Sequence, residues 1–206
     1  RRTLFLVEPR LFLRAVLVPD RLRATLGTGL YHQPPQGAEL SPLFGNPTLP
    51  WQIATVYLLG LDATLLPLLT LETQAFFKDL RSLTVPDAAQ NFDADGMGRS
   101  YGVQALLRQA PFRGLHGWVA YTLSRSERRD HPHQPWRPFR LDQTHVLTLV
   151  VSYQLPWGLD VSARFRYVTG NPTTRVIGGV RDLMYQSYTA LLDEPLAERL
   201  PDFHQL

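Results

Sequence analysis

The chain has 206 residues, 44% of them hydrophobic, with 21 lysines and arginines against 18 acids and no cysteine. No run of eighteen apolar residues occurs, so a transmembrane helix is excluded, and a net charge of +3 scattered among acids gives nucleic-acid binding no support. The lack of cysteine fits passage through an oxidising compartment and decides nothing further.

Arg1-Arg2-Thr3-Leu4 opens directly on strand-like sequence without a signal peptide, as expected of a mature or partial exported chain. The first strand is expected around Arg10 to Val18: Leu11, Leu13, Ala15 and Leu17 alternate with Arg10 and Arg14, and strand side chains point to opposite faces with period two. Pro19-Asp20 supplies a tight turn. Arg21 to Tyr31 returns with Leu22, Ala24, Leu26, Thr28 and Leu30 outward and Arg23, Thr25, Gly27 and Gly29 inward. The two inward glycines point to close approach by something filling the space beneath them, or to a bulge. His32 to Pro50 carries five prolines and reads as a long loop.

Trp51 to Leu61 is the third strand, and after a turn near Leu65 to Pro67 the fourth begins at Leu69, with Glu72, Gln74 and Lys78 on its polar face. A second long loop is expected from Arg81 to Met97, with Asp93-Ala94-Asp95-Gly96 as an acidic turn. The downstream ligands and glutamate of a calcium loop are not at the required spacing.

Four strands follow between Gly98 and Pro172, joined by Pro111-Phe112-Arg113-Gly114, by a long loop from Arg128 to Thr144, and by Pro156-Trp157-Gly158. In the last of them Leu159, Val161, Ala163, Phe165 and Tyr167 alternate with Asp160, Ser162, Arg164 and Arg166. Thr173 to Leu206 reads as a last long loop, with a short helix possible over Leu191 to Leu200 and the start of another strand at Asp202 to Leu206. Long alternating strands, with short turns and long loops taking turns, are the pattern of an antiparallel up-and-down transmembrane β-barrel. Tyr31, Trp51, Tyr57, Tyr121, Tyr153, Trp157, Phe165 and Tyr167 fall toward strand ends, as membrane-interface girdles require and as a soluble β-protein core would also allow.

Several stretches carry a family resemblance: GLYHQPPQ (29–36), FGNPTL (44–49), FFKDLRSLTV (76–85), GWVAYTLSRSER (117–128), FRLDQTHVLTLVVSYQLPWG (139–158), RFRYVTGNPTT (164–174) and LPDFHQL (200–206). In their order and spacing the chain resembles the C-terminal part of the barrel of TonB-dependent outer-membrane receptors. The resemblance covers nearly the whole chain and implies one barrel domain over 1–206, an arc of about eight strands from a barrel of about twenty-two. The plug, the early strands and the final strands of such a receptor would lie outside this sequence.

The resemblance also implies the work: energised uptake of a scarce ligand across the Gram-negative outer membrane, driven through TonB. The expected partners are the plug domain of the same full-length chain, TonB through the missing N-terminal part, outer-membrane lipid and an unknown small ligand. No cofactor and no catalytic residue is implied. Candidate contacts to ligand or plug are Tyr31, His32, Gln33, Arg108, Arg137, Asp142, His145, Arg164 and Arg166, with Glu72 and Lys78 sharing the inward polar face.

His131, His133, His145 and Asp142 suggest a metal site less well than a loop fixed by hydrogen bonds, since the loop lacks rigid support. No nucleophile elbow, zinc-protease helix, phosphate loop or dinucleotide fingerprint occurs. A passive porin or channel and a soluble β-sandwich binding module remain as other readings. A plug in the longer reading frame separates the first from a receptor, and solubility without detergent marks the second.

Overall fold

The computed structural model describes residues 6–87, 91–182, 184 and 186–206; the opening Arg1-Arg2-Thr3-Leu4 lies outside them. The described residues form fourteen strands: β1 (Arg10–Val18), β2 (Leu22–Gln33), β3 (Gln52–Leu66), β4 (Leu69–Asp87), β5 (Asn91–Phe112), β6 (Leu115–Arg129), β7 (Arg137–Pro138), β8 (His145–Gln154), β9 (Asp160–Val168), β10 (Pro172–Thr173), β11 (Val176–Asp182), β12 (Ser187–Leu192), β13 (Glu198–Arg199) and β14 (Phe203–Gln205). There is no helix among the described residues.

The main sheet runs in the order β1-β2-β3-β4-β5-β6-β8-β9-β14, antiparallel throughout, with β7 added on β6. Apart from the short strands β7 and β10 to β13, which belong to the connections, neighbours in space follow one another in sequence, which is the up-and-down meander the alternation predicts. The turns at Pro19-Asp20, Pro67-Leu68, Arg113-Gly114 and Pro156-Trp157-Gly158 therefore share one edge of the sheet, and the other connections share the opposite edge. Arg113 and Gly114 have φ of 50° and 84°, the pair of positive angles that a two-residue primed hairpin turn needs to match strand twist.

The sheet is a single layer. The only large apolar side chains buried among the described residues are Leu49, Leu83, Val85 and Val168, whereas a soluble domain of this length packs two layers around a core. Among the described residues β1 pairs only with β2, and β14 only with β9, so neither outer edge has a further described strand on it.

Four expectations are corrected. The loop expected from Arg81 to Met97 is mostly sheet: β4 continues to Asp87 and β5 starts at Asn91, so the acidic Asp93 to Gly96 stretch is strand and not a turn. Beyond the apolar band both faces of a strand are polar, so the alternation that reveals it disappears. Ser82, with φ of 54°, sits where the β4–β5 register shifts between Leu80 and Leu83. Similarly, β6 runs on to Arg129 and β7 shortens the loop that follows.

The helix considered over Leu191 to Leu200 does not form. That stretch holds the end of β12 and all of β13, interrupted by Pro195 and by Leu196 at φ of 59°. The tail from Thr173 onward is thus not a plain loop: β11 and β12 form a hairpin and β13 returns to pair with β10. The strand start expected at the C-terminus is present as β14 on β9.

Candidate functional site

Cross-strand partners point to the same face, so the register divides the wall into two sides. On one, the rows read Gly60–Gln74–Gln104–Thr122, Val56–Lys78–Ser100–Ser126 and Ala120–Thr148–Arg166. On the other they read Leu26–Leu59–Ala75–Val103–Leu123 and Leu107–Val119–Leu149–Phe165. All members of the expected inward set (Glu72, Gln74, Gln104, Arg108, Thr148, Ser152, Arg164, Arg166) share the first side, and Val119, Tyr121, Leu147, Val151, Tyr153, Val161 and Phe165 share the second.

The apolar side splays open, with Leu26, Tyr57, Leu59 and Val161 each about half exposed or more. The polar side encloses space. A cavity of about 580 Å³ near the short-turn edge is lined from β1 to β5 by residues including Val16, Arg23, Asp62, Glu72 and Arg108. Contact across five strands is what a concave face gives.

Inward Gly27 and Gly29 are explained by the chain itself. A Cβ on Gly27 would stand 2.7 Å from the Phe12 ring, and one on Gly29 would stand 3.0 Å from the Tyr31 ring. The bulge expected as an alternative lies instead between Val16 and Val18.

The outer face carries an aromatic ladder: the Tyr57, Phe77 and Tyr101 rings lie 6.4 Å apart in succession across β3, β4 and β5. Beyond it, toward the long connections, the same face turns ionic. Arg81 bonds Asp79 at 2.7 Å, and the buried Glu127 carboxylate takes Arg99 at 2.6 Å and Arg125 at 2.8 Å. At the other end stand Phe112, Tyr153 and the exposed Trp157. From Tyr101 to Phe112 is about eleven residues, and a rise of about 3.3 Å each at a tilt of about 40° gives about 28 Å of height. That matches a lipid-facing band of about 25 Å flanked by aromatic girdles.

The expected contact residues fall into three places. Tyr31, His32 and Gln33 end β2: Arg10 stacks 4.4 Å over the Tyr31 ring, and the His32 backbone N–H donates to Glu8 at 2.7 Å. That hydrogen bond, more than the neighbouring Arg10, lowers the Glu8 pKa. Arg108 lies in the inner cavity at the short-turn edge, opposite Thr70 and Trp118. Arg164 and Arg166 line the same face on β9, opposite Val150 and Thr148. Of the inward charges Arg23, Asp62, Glu72 and Arg108, none has an ion pair with a described residue, although Asp62 stands directly between Arg23 and Glu72 in the ladder.

Arg137, Asp142 and His145 lie at the long-loop edge. Arg137 holds both Asp130 oxygens, at 2.7 and 2.9 Å. Asp142 is 2% exposed: it accepts the Ser126 N–H at 2.6 Å and pairs with Arg199. His145 Nδ1 stands 2.8 Å from the Tyr121 hydroxyl, on the outer face rather than among the inner-face candidates. Among the described residues no group of three histidine, cysteine or acidic side chains could hold a metal ion; His131 and His133 stack on each other with centroids 5.7 Å apart. Arg199 and Glu127 were not anticipated as site residues. Each acquires its role from partners far along the chain, and no local spacing records that.

No family model matches the sequence, and comparison with curated proteins gives no significant match. Solved structures do match. The ferric-catecholate import receptor Fiu from Escherichia coli K12, in its closed form, superposes over 80% of this chain with a TM-score of 0.66 at 15% identity. The FrpB iron transporter from Neisseria meningitidis superposes over 96% with a TM-score of 0.67 at 11% identity.

The chain shares its fold with part of the barrel wall of these two structures. The chain spans 24% of the first structure and 30% of the second, so the likeness concerns a part of each barrel. Both neighbours are named for transport rather than catalysis, and identities this low carry the fold alone.

Proposed function

We propose that the chain is a wall segment of an energised outer-membrane receptor, forming part of one barrel domain in a longer protein. The observation that carries this reading is the division of a single-layer sheet into an apolar, aromatic-edged convex face and a concave face of unpaired charges. Facing lipid, an arginine such as Arg108 would cost up to about 2–4 kcal/mol at the bilayer midplane, and a glutamate such as Glu72 less. Facing a lumen, they are available to hold a plug of the same chain by hydrogen bonds and ion pairs. Tyr31, His32, Gln33, Arg108, Arg164 and Arg166 are then candidates for contact with plug or ligand, and Arg137, Asp142 and His145 belong to the loop region that shapes the mouth.

On this reading the long-loop edge faces outward and takes a small ligand, and TonB supplies the energy through the plug. The chain's chemistry is binding and passage rather than bond breaking. The test is deletion of the full-length gene in its host, with growth on scarce nutrients measured with and without a functional TonB system. A growth defect shared by the deletion and the TonB-deficient strain supports energised uptake. Uptake that persists without TonB favours a passive channel.

A further inference from the structure

At the long-loop edge of the inner face a cavity of about 320 Å³ opens between β4, the end of β6 and the loop after it. Arg128, Arg129, Arg137 and Arg140 line it, with Asp130 as the one carboxylate. Arg128 and Arg137 are direct cross-strand partners, an arrangement that repels when like charges stand opposite. Asp130 relieves Arg128 only in part and through space, because both its oxygens are bonded by Arg137. Arg129 is turned to other work, donating to the Pro132 carbonyl and to Met97 Sδ.

The Arg128 side chain has no hydrogen bond or ion pair with any described residue, and neither does the exposed side chain of Arg140. The Arg128 guanidinium lies 4.2 Å over the Phe139 ring, which fixes its plane while leaving its N–H groups free. Burial, and then the neighbouring Arg137, pull the Arg128 pKa below arginine's usual value, which marks a cation held in unfavourable surroundings. A half-buried guanidinium with idle donors, beside a second cation and an open cavity, is an arrangement that an anion completes.

We propose that Arg128, Arg137 and Arg140 form an oxyanion site at the mouth of the inner face, for a small ligand carrying at least two carboxylate or phosphate groups. The planar donor fork of arginine matches either group with two parallel hydrogen bonds. The inference deepens the receptor reading and rests on it, since it names the ligand chemistry of the outward-facing edge.

The test uses the full-length protein in detergent micelles, titrated by calorimetry with citrate, with pyrophosphate and with the neutral sugar maltotriose. Binding of one or both anions, and not of the sugar, is expected. Citrate alone identifies a carboxylate site and pyrophosphate alone a phosphate site. Arg128→Gln and Arg140→Gln should each weaken the anion about tenfold, the loss of one charge-assisted hydrogen bond of roughly 1.5 kcal/mol. Arg140 is exposed, so its variant keeps the test valid if Arg128→Gln folds poorly. Localisation and heat-modifiable mobility of the same protein are measured in parallel. A folded barrel in the outer-membrane fraction that binds neither anion, or binds them undiminished in both variants, overturns the site and leaves the receptor reading standing. A soluble, detergent-free monomer overturns the receptor reading and the site with it.

Discussion

Arg199 reaches 57 positions back along the chain to close on the buried carboxylate of Asp142, and its other nitrogen bonds the Asp142 and Gly170 carbonyls at 2.9 and 3.0 Å. The contact ties the tail after β9 to the loop between β7 and β8. Asp142 also accepts the Ser126 N–H, so one side chain fixes strand, loop and tail together.

Breaking that contact should loosen the loops and not the wall. Asp142→Ala leaves Arg199 without its partner and the Ser126 N–H without its acceptor, and should destabilise the loop region by about 3 kcal/mol, in the range for half of a buried ion pair. Arg199→Ala should cost at least as much, because it strands the 2% exposed Asp142 carboxylate, whereas the Arg199 left by Asp142→Ala is 34% exposed and partly solvated. Limited proteolysis between residues 130 and 144 should accelerate in both variants, while heat-modifiable mobility stays intact. Equal cleavage of wild type and Asp142→Ala would remove the latch from the account.

Gly170 tests the same junction from the backbone side. A Cβ there would overlap the Leu200 carbonyl oxygen, so Gly170→Ala has to push the tail away from β9. Hydrogen exchange of the Leu200 amide, which bonds the Asn171 carbonyl at 2.9 Å, should speed up in this variant. Unchanged protection would mean that the tail accommodates the methyl group.

Acid should release the tail as well. The Tyr167 hydroxyl and then the Gly170 N–H donate to Asp202 and hold its pKa below the ordinary aspartate range. A lowered folded-state pKa contributes stability above the unfolded value, about pH 4, and loses it as pH falls through the folded value. Proteolysis of the tail should rise as pH drops from 5 toward 3, and Asp202→Asn should flatten that dependence. A tail equally susceptible at both ends of this range would contradict the sign.

The two faces can be separated with single cysteines in membranes. Gln74→Cys and Thr148→Cys should react quickly with a water-soluble thiol reagent, and Leu59→Cys and Val151→Cys slowly. The reverse order would mean a register slip of one residue, which exchanges every side chain between faces.

Charge placed in the band gives an energetic version of the same test. Ala105→Arg, near the middle of the outer face, should lower folding stability into lipid vesicles by about 2–4 kcal/mol. Gln104→Arg, its neighbour on the inner face, should cost less than about 1 kcal/mol, as substitutions on a wetted face do. Denaturant titration of both proteins decides between them; equal losses would place both faces in lipid or both in water.

The wall was legible in the sequence because lipid imposes a period of two. Leu147, Leu149, Val151 and Tyr153 must face hydrocarbon while Thr148 and Ser152 face inward, so strand, register and face follow from the residues alone. Turn chemistry at Pro19-Asp20 and Arg113-Gly114 then set which edge is short. That constraint ends at the aromatic ladder. Past Tyr101 and Phe77 both faces meet water, alternation carries no information, and the continuation of β4 to Asp87 and of β5 from Asn91 could not be read. The loop-edge contacts depended on the fold in a stronger sense. The Asp142–Arg199 pair and the Arg128–Arg137 neighbours are made by residues that share no local pattern, and only strand pairing and the return of the tail bring them together.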